Sequence, residues 1–136
     1  QKECLPLLTA LCDAGYEVSL ETSGALDIAG VDPRVARIMD LKAPGSGECA
    51  KNRWENLELL TCSDEIKIVI ASRNDYEWAR ERLREHRLDS HCPVLLSPAQ
   101  GLVDPRSLAE WILADGLNVR FQMQLHKLLW GNTRSR

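Results

Sequence analysis

Two short apolar runs with an amphipathic segment between them constrain the fold of this chain more than any other feature. The runs are EIKIVIAS, from Glu65, and CPVLLSP, from Cys92. Between them, Tyr76, Ala79 and Leu83 repeat at helical spacing. A strand, a helix and a second strand in this order predict parallel strands joined by a right-handed crossover. The almost wholly apolar first run further predicts a strand that is covered on both faces.

The same alternation extends along the rest of the chain, across a single predicted domain at 1–130 with a basic tail at 131–136. Strands are predicted at 16–20, 35–42, 65–72, 92–98 and from Val119, and helices before Gly15, at 51–62, from Ser72 and from Asp104 to Gly116. Asp75, three residues after Ser72, forms a weak capping box with it. The fold class is therefore α/β, either an open doubly wound sheet or part of a barrel. Both arrangements place ligands at the carboxyl ends of the strands.

Composition narrows the classes of partner. A net charge of −3 gives no general attraction to nucleic acid, and no apolar run reaches membrane-spanning length. We therefore expect neither a nucleic-acid nor a membrane partner. The five cysteines are widely spaced and include no CxxC pair. That pattern argues against a disulfide framework or a zinc ribbon, and it favours the reducing cytoplasm.

Polar side chains follow every predicted strand. In chain order they are Glu21, Thr22, Ser23 and Gly24; Asp40 and Lys42; Lys67 and Ser72; Ser97 and Gln100; and Gln124 and His126. Because the carboxyl ends of parallel strands meet at one edge, we expect these residues to form one ligand site. A lysine in this set can hold a carboxylate or phosphate, and Gln124 with His126 suits the edge of a heterocycle. No GxGxxG, P-loop, nucleophile elbow or HExxH string occurs.

Each of these residues also has a structural explanation. The turn at Glu21 could be a simple cap, and Asp40 with Lys42 could be a local ion pair. Lys67 could be a buried lysine paired with another side chain. His126 could be a core histidine bonded to the backbone.

Several strings resemble those of one enzyme family, the 7-carboxy-7-deazaguanine synthases. The strings are ETSGALD, DLKAPGSGE, EIKIVI and the terminal QLHKLLW. These are radical S-adenosylmethionine enzymes of queuosine and 7-deazapurine biosynthesis. The resemblance spans the chain up to Trp130, and it implies part of a shortened (β/α)6 TIM-like barrel. The alternatives are another radical S-adenosylmethionine enzyme, such as a glycyl-radical activase, or a non-catalytic α/β binding domain.

The resemblance implies a reaction and roles for individual residues. A 5′-deoxyadenosyl radical would abstract hydrogen from 6-carboxy-5,6,7,8-tetrahydropterin, whose ring then contracts with loss of ammonia to give 7-carboxy-7-deazaguanine. The implied contacts to S-adenosylmethionine are Glu21, Ser23, Asp40, Lys42, Ser97 and Gln100, and those to the pterin are Glu21, Gln124 and His126. Asp40 departs from the family, which often has Ser there, and Ser97 stands where many members have Gln.

The family's cluster-binding motif is absent from these residues. Family members hold a [4Fe–4S] cluster with a CxnCxxC loop and the methionyl amino group with a GGEP strand end, and neither string occurs here. The resemblance thus implies the C-terminal portion of an enzyme, inactive as a separate chain. The cluster and Mg²⁺ ligands would lie outside it, with no metal ligand within. The implied partners are an electron donor such as flavodoxin and a second copy, either in a homodimer or joined through an exposed strand edge.

Overall fold

A five-stranded parallel sheet organises the chain. The computed structural model describes residues 3–131, apart from the side chains at 126–128. The strands stand in sequence order, and each pairs in parallel with the next. They are β1 (Ser19–Thr22), β2 (Ala36–Leu41), β3 (Glu65–Ile70), β4 (Val94–Pro98) and β5 (Arg120–Phe121). The helices are α1 (Cys4–Asp13), α2 (Arg73–Glu85), α3 (Pro105–Asp115) and α4 (Leu125–Trp130).

The two faces of the sheet differ in character. On one face Met39, Ile66, Ile68 and Leu96 are buried and pack with the helices in one hydrophobic core. Because the strands follow in sequence order with right-handed crossovers, the crossover helices all lie on that side. The other face carries alternate residues such as Lys67, which is only partly buried. The expectation that β3 is covered on both faces is therefore wrong for the described residues.

Local signals set the ends of α2 and α3 as predicted. The Ser72 hydroxyl accepts a hydrogen bond from the Asp75 N–H at 3.1 Å, and the Asp104 carboxylate accepts one from the Ser107 N–H at 3.1 Å. Gly116, with φ of 58°, ends α3 in the left-handed region that glycine adopts without strain. The predicted apolar residues of α2, Tyr76, Ala79 and Leu83, are buried, and α3 buries Leu108 and Ile112.

The first strand begins later than predicted. The Tyr16 N–H donates to the Leu11 carbonyl at 3.1 Å, which extends the C-terminal turn of α1 past Gly15. Tyr16 is therefore drawn into the helix end and stays 66% exposed. Strand pairing starts at Ser19.

Two further elements differ from the prediction. The expected helix at 51–62 is a 3₁₀ helix at Trp54–Leu59, preceded by a short one at Cys49–Lys51. The expected final strand keeps two residues, and α4 follows it. Within residues 3–131, no helix has the length and apolarity needed to cross a membrane.

Candidate functional site

The sheet register gathers several predicted site residues on the face opposite the crossover helices. At β4 this face is buried. Asp40 is in register with Lys67, which is in register with Leu95. Ser97 follows Leu95 by two residues, so its side chain points to the same face. We call this surface the open face, and its members on the strands are Ser19, Glu21, Ala36, Ile38, Asp40, Glu65, Lys67, Val69, Leu95, Ser97 and Arg120.

Asp40 and Lys42 form an ion pair at the carboxyl end of β2. The Lys42 Nζ donates to Asp40 Oδ2 at 2.6 Å. The side chain of Asn52 holds the Lys42 backbone, since it accepts from the Lys42 N–H and donates to the Lys42 carbonyl, both at 2.9 Å. The structural explanation of this pair is thus observed, but it uses a single oxygen of Asp40.

Three predicted site residues contain a buried polar atom with no hydrogen-bond partner among the described residues. These atoms are Asp40 Oδ1, Ser97 Oγ and Gln124 Oε1. Ser97 is completely buried. Leaving such an atom unpaired costs about 1–3 kcal/mol, so the arrangement fits groups that a polar ligand would satisfy.

Three more buried side-chain atoms have no hydrogen-bond partner among the described residues, in Asn56, Arg80 and Arg82. In each of these residues another side-chain atom already bonds a neighbour. The hydroxyl of Ser97, in contrast, is the only polar group in its side chain. Ser97 is therefore the clearest unsatisfied group of the predicted site.

Buried polar side chains fix the loops that carry the site. Asp75 accepts hydrogen bonds from the Gly45 N–H at 2.7 Å and from the Ala71 N–H at 3.0 Å. Asn56 donates to the carbonyls of Gly24 and Leu26 at 3.1 and 2.8 Å. These contacts tie together the loops that follow β1, β2 and β3.

The sequence pattern concealed the roles of Asn52 and Asn56. The predicted helix at 51–62 rested on the apolar spacing of Trp54, Leu57 and Leu60, which gives no role to a polar side chain. The observed 3₁₀ geometry buries both asparagines instead. A signal that could have found them is the dense APGSGE loop just before, whose backbone groups need side-chain partners.

Two glycines permit the close approach of these loops. A Cβ at Gly45 would overlap the carboxylate of Asp75. Gly24, the last residue of the ETSG turn, has φ of +68°, and a Cβ there would lie 3.0 Å from Met39 Cγ. The ETSG glycine is thus required by backbone geometry and by packing.

Gln100 and Gln124 line one cavity of about 190 Å³ at the carboxyl ends of β4 and β5. Its other walls are mostly apolar: Pro98, Gly101, Val103, Pro105 and Met123. An apolar slot with amide groups at its rim suits a flat heterocycle. The structure thus brings together a glutamine predicted to contact the cofactor and one predicted to contact the substrate.

The remaining predicted residues lie apart from these groups. Glu21 and Ser23 are exposed and line a different cavity, of about 390 Å³, at the edge strand β1 beside Leu26 and Ile28. Glu21 shares the open face with Asp40 but is in register with Ile38. The backbone of His126 lies in α4, and its side chain is outside the described residues. The predicted role of His126 stays a prediction.

The cysteines of the described region do not suit an iron–sulfur cluster. Between residues 3 and 131, no three Cys, His, Asp or Glu side chains are grouped as metal ligands. Burial raises the pKa of the Cys92 thiol to about 11, so this group remains protonated and is a poor ligand at neutral pH. The unpaired atoms of Asp40 and Ser97, by contrast, fit the polar groups of S-adenosylmethionine.

Comparison with known proteins identifies relatives. No protein-family model matches the chain. The 7-carboxy-7-deazaguanine synthase of Koribacter versatilis is 43% identical, over 96% of this chain and 63% of the relative. That of Chlorobaculum tepidum is 46% identical, over 91% of this chain and 58% of the relative. The chain therefore spans about three-fifths of the length of these curated relatives.

The fold has a matching solved structure. The crystal structure of QueE from Escherichia coli superposes with a TM-score of 0.66 at 25% identity, covering 88% of this chain and 49% of that one. The predicted fold class is confirmed as a parallel α/β sheet similar to QueE, and the sheet is not closed within residues 3–131. The chain is thus similar in sequence to 7-carboxy-7-deazaguanine synthases over 91–96% of its length, and in fold to QueE over 88% of it.

Proposed function

We propose that the chain forms part of a 7-carboxy-7-deazaguanine synthase. The enzyme would be a radical S-adenosylmethionine carbon–nitrogen lyase that converts 6-carboxy-5,6,7,8-tetrahydropterin to 7-carboxy-7-deazaguanine. The observation that carries the proposal is the 43–46% identity to enzymes of that name over more than nine-tenths of the chain. The unpaired polar atoms at the predicted site support it.

In this proposal the described residues bind and orient the ligands. S-adenosylmethionine, when bound, supplies the radical chemistry, and the protein positions the reacting groups and excludes water. Asp40 Oδ1 accepts a hydrogen bond from an ammonium or hydroxyl group of the cofactor. Ser97 Oγ contacts the cofactor from the neighbouring side of the open face, and the slot between Gln100 and Gln124 takes a heterocycle.

The proposal assigns the [4Fe–4S] cluster and Mg²⁺ to residues outside these 136. The scattered cysteines of the described region support that assignment. An electron donor such as flavodoxin, a homodimeric assembly and a cytoplasmic location belong to the proposal through the family resemblance.

The activity can be tested on the complete protein after anaerobic reconstitution with iron and sulfide. With S-adenosylmethionine, a reductant and the carboxypterin, we expect 7-carboxy-7-deazaguanine and 5′-deoxyadenosine, both measured by mass spectrometry. The 136-residue chain alone, treated in the same way, should form neither. Formation of 5′-deoxyadenosine with a protein substrate but not with the pterin would instead indicate a glycyl-radical activase.

The site can be tested with Ser97→Ala in the complete protein. We expect the affinity for S-adenosylmethionine to fall roughly tenfold, because one hydrogen bond is lost. Stability should be unchanged or slightly higher, because the variant removes a buried unpaired hydroxyl. The matched control is Ser90→Ala, just before β4 at the amino ends of the strands. Its hydroxyl donates to the Arg87 carbonyl at 2.7 Å. Equal affinities in the two variants would contradict the assignment of Ser97.

A further inference from the structure

Lys67 occupies the centre of the open face. It lies on β3, between Asp40 on β2 and Leu95 on β4, and is in register with both. Its side chain is partly buried. A lysine in this position loses part of its hydration, and an anionic partner would compensate for that loss.

No such partner exists among the described residues. The ammonium group of Lys67 makes no ion pair and no hydrogen bond with any described side chain. The other cations near it are already paired, Lys42 with Asp40 at 2.6 Å and Arg120 with Glu65 at 3.3 Å. The explanation of Lys67 as a paired buried lysine therefore finds no support in this part of the chain.

The remaining acid on this face is too far away to pair with Lys67. Glu21 lies on β1, two strands from Lys67, which corresponds to about 9–10 Å between backbones. It is also exposed, so water solvates its carboxylate. The two nearer acids on this face, Asp40 and Glu65, are already paired with other cations, so the charge around Lys67 is positive by one.

A second hydrogen-bond donor lies on the same face of the sheet. Ser97 is in register with Val69, two residues along β3 from Lys67, so Ser97 and Lys67 are diagonal neighbours on the open face. The Ser97 hydroxyl is fully buried and unpaired. An ammonium group and a hydroxyl side by side match the two acceptor oxygens of a carboxylate.

We propose that Lys67 and Ser97 together bind the carboxylate of a small-molecule ligand. The inference rests on the proposed function, in which both ligands, S-adenosylmethionine and the carboxypterin, carry a carboxylate. The pair neutralises that charge on the open face and fixes the orientation of the ligand that bears it. Lys67 is thus a binding residue in addition to those that the family resemblance implies.

The test is a set of binding measurements on the complete, reconstituted protein by calorimetry. The proteins are wild type, Lys67→Met and Lys67→Arg, and the control is Lys51→Met, an exposed lysine paired with Glu48. The ligands are S-adenosylmethionine, its decarboxylated form, the carboxypterin, and the same pterin without its carboxylate. Thermal unfolding of each variant checks that it folds. Removal of an unpaired lysine should not lower the unfolding temperature.

We expect Lys67→Met to lower the binding affinity for one carboxylated ligand roughly 10- to 100-fold. Lys67→Arg should recover part of that affinity. The matching ligand without a carboxylate should bind wild type and Lys67→Met equally, which identifies the source of the carboxylate. Equal binding of both carboxylated ligands to wild type and Lys67→Met overturns the inference and leaves the proposed function standing. Failure of the wild-type protein to bind either ligand overturns the proposed function, and the inference with it.

Discussion

A single buried carboxylate, that of Asp75, holds two loops of the site. It is 1% exposed, and each of its oxygens accepts a backbone N–H, from Gly45 after β2 and from Ala71 after β3. Gly45 leaves room for this approach because it has no Cβ. The placement of Lys42 and the loop beyond it therefore depends on a residue that contacts no ligand in the proposed site.

Replacement of Asp75 by Asn tests this role. Asn has one acceptor oxygen, so one of the two backbone N–H groups would face an amide NH₂ and lose its bond. We expect the free energy of unfolding to fall by about 2–4 kcal/mol, measured by urea denaturation. The control Asp27→Asn keeps an acceptor for the Ala29 N–H on the surface and should change stability by less than about 0.5 kcal/mol. Similar losses in both variants would show that Asp75 is not a special anchor.

At the scale of elements, the sequence predicted those parts in which local signals and tertiary packing agree. β2, β3, β4, α2 and α3 combine a clear period with caps or apolar runs, and all five are observed. The 3₁₀ segment at Trp54–Leu59 was mistaken for a helix because its apolar spacing fits both geometries. The final segment was mistaken for a strand because β5 pairs at only two positions, Arg120 and Phe121, before α4 begins.

The same distinction applies to the candidate site. Strand order and register could be inferred from the alternating pattern. The location of Asp40 and Ser97 on one face of the sheet was therefore predictable. The burial of Asn52 and the unpaired state of Lys67 depend on loops and on charge placement that no period encodes. Contacts of this kind can be identified only from a three-dimensional structure.

The N-cap of α3 provides a prediction for one element. Asp104 accepts hydrogen bonds from the N–H and the hydroxyl of Ser107, both at 3.1 Å, and Pro105 follows at the first helical position. Asp104→Ala should lower the free energy of unfolding by about 1 kcal/mol, whereas Asp104→Asn, also a good cap, should lower it by only a few tenths. Chemical denaturation of both variants measures the difference. Equal losses would mean that the charge, not the cap, stabilises α3.

At the scale of the whole molecule, the sheet has two open edges. Among the described residues, β1 pairs with β2 alone and β5 with β4 alone. Unpaired strand edges promote association with another chain. We expect the 136-residue chain, expressed by itself, to self-associate in light scattering, and a monodisperse monomer would contradict this.

A buried ion pair ties the amino ends of the strands together. Arg37 on β2 and Asp64 just before β3 are 7% and 2% exposed, and their side chains meet at 2.8 Å. Burial alone would raise the pKa of Asp64. The hydrogen bonds from Arg37 and from Thr61 outweigh that effect and hold the pKa of Asp64 below its ordinary value.

This lowered pKa predicts how stability changes with pH. The unfolded chain has an Asp pKa of about 3.9, so the contribution of Asp64 is fully present above that pH. It is lost as the pH falls through the lower pKa of the folded state, because the unfolded chain then binds the extra proton. The pKa of Asp115 is also lowered, by hydrogen bonds from Tyr76 and Arg80, so it acts in the same direction.

Urea denaturation of wild type and Asp64→Asn between pH 7 and pH 2.5 measures this contribution. At pH 7 the variant should be less stable by about 3–5 kcal/mol, because Arg37 is left buried without its anion. Below about pH 4 the wild type should lose stability more steeply than the variant, so that the difference between them narrows. A constant difference across this range would mean that protonation of Asp64 does not drive the acid response. The difference would then have to come from packing around Arg37, which Arg37→Met in the Asp64→Asn background would relieve at every pH.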